Sequence, residues 1–192
     1  MRKVIFGGAI SLDNFIARSD NAVDWLVWSD DVQKIMAEMW PRFDCMVMGR
    51  KTYEVGVGKG EEEKRGKGEE EKEAEKNPFG METYVFSRTL EAGKHGGVEF
   101  VDSDPGEFVR ELKKLDGKEI MVMGGGDLGR NLFEAGVIDE IGFNIQPVLL
   151  GSGVPLYHEM SRQIDLELIE CRQLSGGCVY VTYRVKSLST TD

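Results

Sequence analysis

The sequence predicts an α/β fold with a mixed, mostly parallel central sheet flanked by helices. Along most of the chain, short apolar runs typical of buried strands alternate with amphipathic runs typical of helices, and this alternation favours parallel strands joined by helices. The segment 165–185 instead contains two runs of period 2 around Ser175, Gly176 and Gly177. That pattern predicts a C-terminal antiparallel β-hairpin at one edge of the sheet.

The N-terminal half begins with an apolar run at 3–10, which predicts a buried strand. A helix follows at 30–40, because its apolar residues recur at helical spacing and Pro41 cannot continue it. Two further apolar runs, 44–49 and 82–87, have the length of strands.

The C-terminal half continues the alternation. Pro105 occupies the first turn of a predicted helix at 105–115, and the apolar run 118–123 is the next strand. Three glycines at 124–126 then lead into an amphipathic helix. Residues 138–151 form a strand whose apolar residues alternate, and the hairpin completes the chain. With 192 residues, we expect one domain that spans 1–192.

Charge and composition narrow the function. The formal net charge is -10, with 24 Lys and Arg against 34 Asp and Glu, which argues against a nucleic-acid partner. No apolar run approaches membrane-spanning length. Cys45, Cys171 and Cys178 lack CxxC spacing, which fits a reducing cytoplasm, although a Cys171–Cys178 bridge across the hairpin is an alternative. Two widely separated histidines argue against a metal site.

The segment 59–77 differs from the rest. It has almost no apolar side chain, repeats the string GEEEK, and its opposite charges nearly cancel. Nothing in it predicts contact with a core. We interpret it as a solvated surface insertion, in part helical through Glu–Lys pairs a turn apart. The alternative is an arm that binds a partner.

The glycines after the strand 118–123 match a nucleotide-binding pattern. Gly124, Gly126 and Gly129 fit G-x-G-x-x-G between a strand and a helix, where absent β-carbons let a diphosphate lie against the backbone at a helix N-terminus. The alternative is a tight turn that needs positive φ. The next strand carries no acid for ribose hydroxyls, so we expect a phosphate site in a fold other than the Rossmann fold.

Two other predicted strands also end in small and cationic residues. Since parallel strands end at one edge of a sheet, these turns and the glycine turn could meet over one crevice, although each alone is a common surface turn. The cations and hydroxyls would suit a diphosphate and an extra ribose phosphate. The two turns are Gly49-Arg50-Lys51-Thr52 and Ser87-Arg88-Thr89.

The order of the segments GRKTYE, FSRTL and MGGGDLGRNLFEAGVIDEI resembles the dihydrofolate reductase superfamily. The segments SLDNFIA and QPVLLGSGVPLY are more similar to the branch that contains the reductase domain of riboflavin-biosynthesis deaminase-reductases. The resemblance covers nearly all of the chain except the charged insertion. It implies a dihydrofolate reductase-like fold, NADPH as cofactor and a homodimer, and we expect a reductase without the deaminase domain.

The resemblance also implies roles for particular residues. Gly124 and Gly125 would form a cis peptide, and the residues after them would open the phosphate-binding helix. The implied NADPH contacts are Ala9, Ile10 and Ile16 around the nicotinamide, Gly49, Arg50, Lys51 and Thr52 at the diphosphate and adenosine, Ser87 and Arg88 at the 2′-phosphate, and Gly124, Gly125, Gly126, Asp127 and Leu128 in the phosphate loop.

The residues that contact the substrate are less well defined than those that contact the cofactor. The resemblance implies substrate contacts by Phe15, Trp25 and Asn144, and Asp30 keeps the spacing from Trp25 of the pterin-binding acid, without the usual proline between them. Asp30 is therefore either catalytic or a helix N-cap, and Asp31 competes for both roles. His158 either borders the substrate or lies in a surface loop.

We expect an NADPH-dependent reductase that transfers a hydride to a small heterocycle, most simply 5-amino-6-(5-phosphoribosylamino)uracil. The proton would come from Asp30 or from water. The alternatives are a dihydrofolate reductase and a non-catalytic NADPH-binding module whose charged insertion docks a partner.

Overall fold

A computed structural model describes residues 1–65, 77, 79–95 and 97–186. The strands and helices carry labels in chain order. They are β1 Val4–Ser11, β2 Phe15–Ala17, α1 Asp30–Met39, β3 Phe43–Gly49, α2 Arg50–Arg65, β4 Glu82–Phe86, β5 Gly93–His95, β6 Val98–Val101, α3 Pro105–Leu112, β7 Glu119–Met123, α4 Gly126–Glu134, β8 Glu140–Gln146, β9 Val154–Pro155, β10 Leu166–Gln173 and β11 Val179–Val185.

Nine of these strands form one sheet in the order β10-β11-β8-β1-β7-β3-β4-β6-β5. The six central strands from β8 to β6 are parallel to one another, while the hairpin β10–β11 adds antiparallel strands beside β8. This confirms the predicted mixed, mostly parallel sheet with a terminal hairpin. β5 adds an antiparallel strand at the other edge, and β2 and β9 form a separate two-stranded sheet.

Both faces of the sheet are covered, as strands with near-continuous apolar runs require. On one face, α3 and α4 pack over β1 and β3, and the fully buried Phe6 makes edge contacts with Phe133 and Phe143 at centroid distances of 5.5 and 5.6 Å. On the other face, Val32 and Ile35 of α1 pack with the residues around β11.

Periodicity in the sequence does not predict the four shortest strands, because two to four residues are too few to establish a period. These strands are β2, β5, β6 and β9. The strand expected to reach residue 151 ends at Gln146, since Pro147 has no N–H for the ladder. The Cys171–Cys178 bridge is not formed, and Cys45, Cys171 and Cys178 are all free. No described helix is long and apolar enough to cross a membrane.

The charged insertion has different boundaries from those expected. Residues 59–65 continue α2 as helix, and 66–76 lie outside the described residues. Asn77, assigned to the insertion, belongs to the folded chain: its amide nitrogen donates to the Met81 carbonyl and, at 3.2 Å, to the Thr83 hydroxyl, and its oxygen accepts the Phe79 N–H at 2.9 Å. An amide satisfies this turn because it carries both donors and an acceptor.

Candidate active site

A cavity of about 1090 Å³ lies along the carboxyl ends of the parallel strands. The turns after β3, β4 and β7 all line it, as the sequence predicted, together with β1, β8 and α1. Among the expected cofactor residues, those that line it are Ala9, Ile16, Gly49, Arg50, Lys51, Thr52, Ser87, Arg88, Gly124, Gly125, Gly126, Asp127 and Leu128.

The turns after β3 and β4 are tied together by Arg50. Its Nη1 donates to the Thr89 hydroxyl at 2.9 Å, and its Nε lies 3.5 Å from Glu54. Arg50 and Lys51 form the first turn of α2, which contains no acid. Cations are unfavourable at the positive end of a helix dipole, so this placement favours a bound anion.

Ser87 shapes the next turn. Its side chain is buried, and its hydroxyl oxygen accepts the N–H groups of Thr89 at 3.2 Å and Leu90 at 3.0 Å. The turn holds Arg88 exposed at the cavity wall. Arg88 is therefore the residue of this turn that is free to reach a phosphate, while Ser87 positions it.

The glycine turn after β7 differs from expectation. The Gly124–Gly125 peptide is trans, not cis, since the described residues contain no cis peptide. Gly124 reverses the chain through a φ of +126°, and a β-carbon there would lie 2.6 Å from the Thr52 hydroxyl. At Gly126, a β-carbon would collide with the His158 ring. Backbone freedom and close packing therefore explain these two glycines.

His158 borders the cavity against the N-terminus of α4. Its Nδ1 lies 3.0 Å from the Asp127 carboxylate, and Arg130 lies 3.4 Å from the same carboxylate oxygen. The sequence left two positions open for His158, and the structure places it at the cavity. Arg130 was not predicted, although it follows Asp127 by three residues on the helix expected to bind phosphate.

The centre of the cavity lies over β1 and β8. Ala9 pairs with Asn144, and both line the cavity. Asn144 Oδ1 is buried without a hydrogen-bond partner among the described residues. Ile10 is not a cavity residue, because strand alternation turns its side chain into the opposite core.

Three expected substrate or catalytic residues lie outside the cavity lining. Trp25 is buried, Phe15 belongs to β2 and pairs with Pro155, and Asp30 is exposed. The N-cap hypothesis for Asp30 is wrong, since Ser29 is the cap and its hydroxyl accepts the Val32 N–H at 3.3 Å.

Ser29 rather than Asp31 caps α1, and Asp31 does not line the cavity. Its carboxylate accepts the Ser175 N–H at 2.9 Å, which links α1 to the hairpin turn. Hydrogen bonding to the Ser175 side chain, and then to its backbone N–H, holds the pKa of Asp31 below its usual value.

Asp13 fixes a loop that forms part of the cavity wall. The Ser11 hydroxyl donates to its carboxylate at 2.6 Å, and the N–H groups of Leu150 and Gly151 donate at 3.1 and 2.8 Å. These bonds lower the pKa of Asp13, the Ser11 bond most strongly. The loop continues into 153–156, which lines the cavity.

The model of the RibD C-terminal domain family matches residues 2–180. The chain belongs to this family. It is 31% identical over 185 residues to the uncharacterized protein YyaP of Bacillus subtilis (strain 168), covering 95% of this chain and 94% of YyaP.

Two solved structures share the fold. A putative riboflavin biosynthesis protein from Shewanella sp. PV-4 superposes with a TM-score of 0.76 at 24% identity, over 97% of this chain and 100% of the other. Dihydrofolate reductase from Enterococcus faecalis, complexed with NADP(H) and RAB-propyl, gives 0.63 at 16% identity, over 96% and 97%.

The cavity of this RibD C-terminal domain fits a dinucleotide phosphate. Gly49 has an ordinary φ, and a β-carbon there would meet nothing within 4 Å, so neither backbone strain nor packing requires a glycine. Its absent side chain leaves space in the cavity wall beside Arg50 and Lys51. Among the described residues, no group of His, Cys, Asp and Glu is placed to hold a metal ion.

Proposed function

We propose that this protein is an NADPH-dependent reductase that transfers a hydride to a small planar heterocycle. One observation carries the proposal: a single cavity joins a cation-lined end, suited to phosphates, to an apolar end beneath α1. Membership of the RibD C-terminal domain family supports the same reaction class.

NADPH supplies the hydride, and this chain's residues bind and orient it. Arg88 takes the 2′-phosphate, Arg50 and Lys51 the diphosphate, and the N-terminus of α4 adds N–H donors. Ile16 covers the turn at Gly125, since its Cδ1 lies 3.2 Å from the β-carbon position there. These residues would hold and orient the cofactor in the cavity, and such orientation contributes to the rate of hydride transfer.

The proton comes from water. In the part of the chain that the structure describes, the carboxylates that line the cavity are Asp102, Asp104 and Asp127, which follow β6 and β7 on the cation-lined side. Asp30 is exposed outside the lining. The sequence left two proton sources, Asp30 and water. Water therefore remains, as a molecule admitted beside the substrate.

Turnover tests the proposal. NADPH oxidation is followed with dihydrofolate and with 5-amino-6-(5-phosphoribosylamino)uracil, of which the family favours the second as substrate type, and then with their uncharged analogues. If NADPH binds but none of these assays shows its oxidation, the protein is instead the non-catalytic NADPH-binding module.

Gly49→Ala tests whether the turn after β3 contacts the cofactor. We expect NADPH affinity to fall about 10-fold or more, because the methyl group occupies ligand space, while the melting temperature stays unchanged since nothing lies within 4 Å. A Gly49→Ala protein that binds NADPH normally would contradict the assignment of this turn.

A further inference from the structure

The part of the cavity beneath α1, here called the α1 chamber, has an apolar wall. Its floor is the small-residue surface of β1 and β8, at Gly7 and Gly142. Its wall comes mainly from α1 and its neighbours. These residues are Trp28, Val32, Met36, Met39, Trp40 and Tyr180.

Among the described residues, the charged side chains that line the cavity all lie on the other side of it. Its cations are Arg50, Lys51, Arg88 and Arg130, which follow β3, β4 and β7, and no described residue of the chamber wall is charged. β3 lies three strands from β8 in the sheet order, which is about 14 Å at ordinary strand spacing. A group bound over β8 is therefore beyond the hydrogen-bond reach of the turn after β3.

The cations nearest in sequence to the residues of the chamber wall are already paired on the outer surface. Lys34 of α1 is exposed and lies 3.6 Å from Asp31. Arg42, which follows Trp40 by two residues, is exposed and lies 2.8 Å from Glu119. A phosphate that projected from the chamber would meet ion pairs rather than a free cation. A buried, unpaired phosphate is strongly disfavoured.

We infer that the substrate of this enzyme is an uncharged planar ring without a phosphate group, bound in the α1 chamber. This rests on the proposed reductase function and narrows it. Asn144, whose Oδ1 is buried without a partner among the described residues and lines the cavity, accepts an N–H of that ring. Gln146 is held beside it, since its Oε1 accepts the Val27 N–H at 2.8 Å. The inference makes ribosyl phosphates poor substrates.

A matched pair of probes tests this. NADP⁺-loaded protein is titrated with 5-amino-6-(5-phosphoribosylamino)uracil and with the same compound lacking the phosphate, and affinities are measured calorimetrically. We expect the dephosphorylated compound to bind at least about 10-fold more tightly. Equal or tighter binding of the phosphorylated compound overturns the inference, and so does failure of both to bind while NADP⁺ binds normally. Failure of NADP⁺ and NADPH to bind counts instead against the proposed function.

A second comparison tests whether the ring and any attached phosphate would lie in the α1 chamber. Met36→Lys adds a cation to the chamber wall, and Ala37→Lys adds one to the exposed side of the same helix. We expect Met36→Lys to shift the preference toward the phosphorylated compound by about 10-fold, with NADPH affinity retained in both variants. An identical effect of the two variants would contradict binding in the chamber.

Discussion

At the scale of single residues, the glycines of the G-x-G-x-x-G pattern and its turn have different surroundings. Gly125 has φ of -93°, and a β-carbon there would approach the flexible end of Ile16 at 3.2 Å. Gly129 faces the core instead, where a β-carbon would lie 3.0 Å from the ring of Phe6. The sequence pattern treats both as members of one motif, but their neighbours differ.

Gly125→Ala and Gly129→Ala therefore separate binding from stability. We expect Gly125→Ala to abolish NADPH binding in a folded protein, because the methyl group enters the phosphate turn. At Gly129, helix propensity by itself favours alanine over glycine, but overpacking against Phe6 should cost about 1–3 kcal/mol of unfolding free energy. Paired NADPH titrations and thermal melts decide, and a Gly125→Ala variant with wild-type affinity is the contrary result.

At the same scale, we expect Arg88 to determine the preference for NADPH over NADH. It is exposed at the cavity wall, so Arg88→Ala should weaken NADPH binding by about 1.5–3 kcal/mol, the contribution of a hydrogen bond to a charged group. NADH, which lacks the 2′-phosphate, should be barely affected. Arg184→Ala, outside the cavity lining, is the control. Equal losses for both nucleotides would refute the assignment.

At the scale of elements, α1 and α2 each combine two duties. The first turn of α2 carries the cations of the site, while its continuation to Arg65 leads into the charged segment. The apolar face of α1 packs on the hairpin through Val32 and Ile35 and also lines the chamber. Arg50 and Lys51 therefore depart from the usual preference for acidic side chains in the first turn of a helix, and they do so where the ligand is expected.

The charged segment offers an element-scale prediction. Replacing 66–76 by a short Gly-Ser loop should leave NADPH affinity and melting temperature nearly unchanged, since closure entropy changes slowly with loop length. Asn77→Ala should lower stability by about 1–2 kcal/mol, because its three hydrogen bonds are lost. A large loss of cofactor affinity in the loop replacement would show that the segment contributes to the site.

At the scale of the whole molecule, β10 presents an open sheet edge. Among the described strands it pairs with β11 alone, and Leu166, Leu168 and Ile169 are 38%, 55% and 44% exposed. Long edge strands with apolar side chains invite pairing with another chain. The homodimer implied by the family resemblance stays a prediction, and this edge is where it would form.

Leu168→Glu tests that prediction. We expect the variant to elute as a monomer and the wild type as a dimer, by size-exclusion chromatography with light scattering, since like charges would face each other across a paired edge. Leu115→Glu, at a residue 59% exposed on another surface, is the control. A monomeric wild type would rule out the dimer, and NADPH affinity should not follow the oligomeric state.

The long elements, the hairpin edge and the meeting of three strand ends were all predictable from the sequence, because periodicity and turn residues are local signals. The position of Arg50, Lys51 and Arg88 at one end of the cavity was also predictable, since parallel strands must end together. Periodicity also placed Met36 and Met39 on the buried face of α1. It could not tell whether that face meets a core or a cavity, because both environments select apolar side chains.

The tertiary structure alone decided the points that depend on neighbours distant in sequence. It placed Ala9 in the cavity and Ile10 in the core, and it put His158 against Gly126, 32 residues away in the chain. Asp30 kept the spacing of a catalytic acid but lies in solvent. A spacing fixes distance along the chain, whereas the direction of a side chain follows from the packing of whole elements, which only the folded molecule determines.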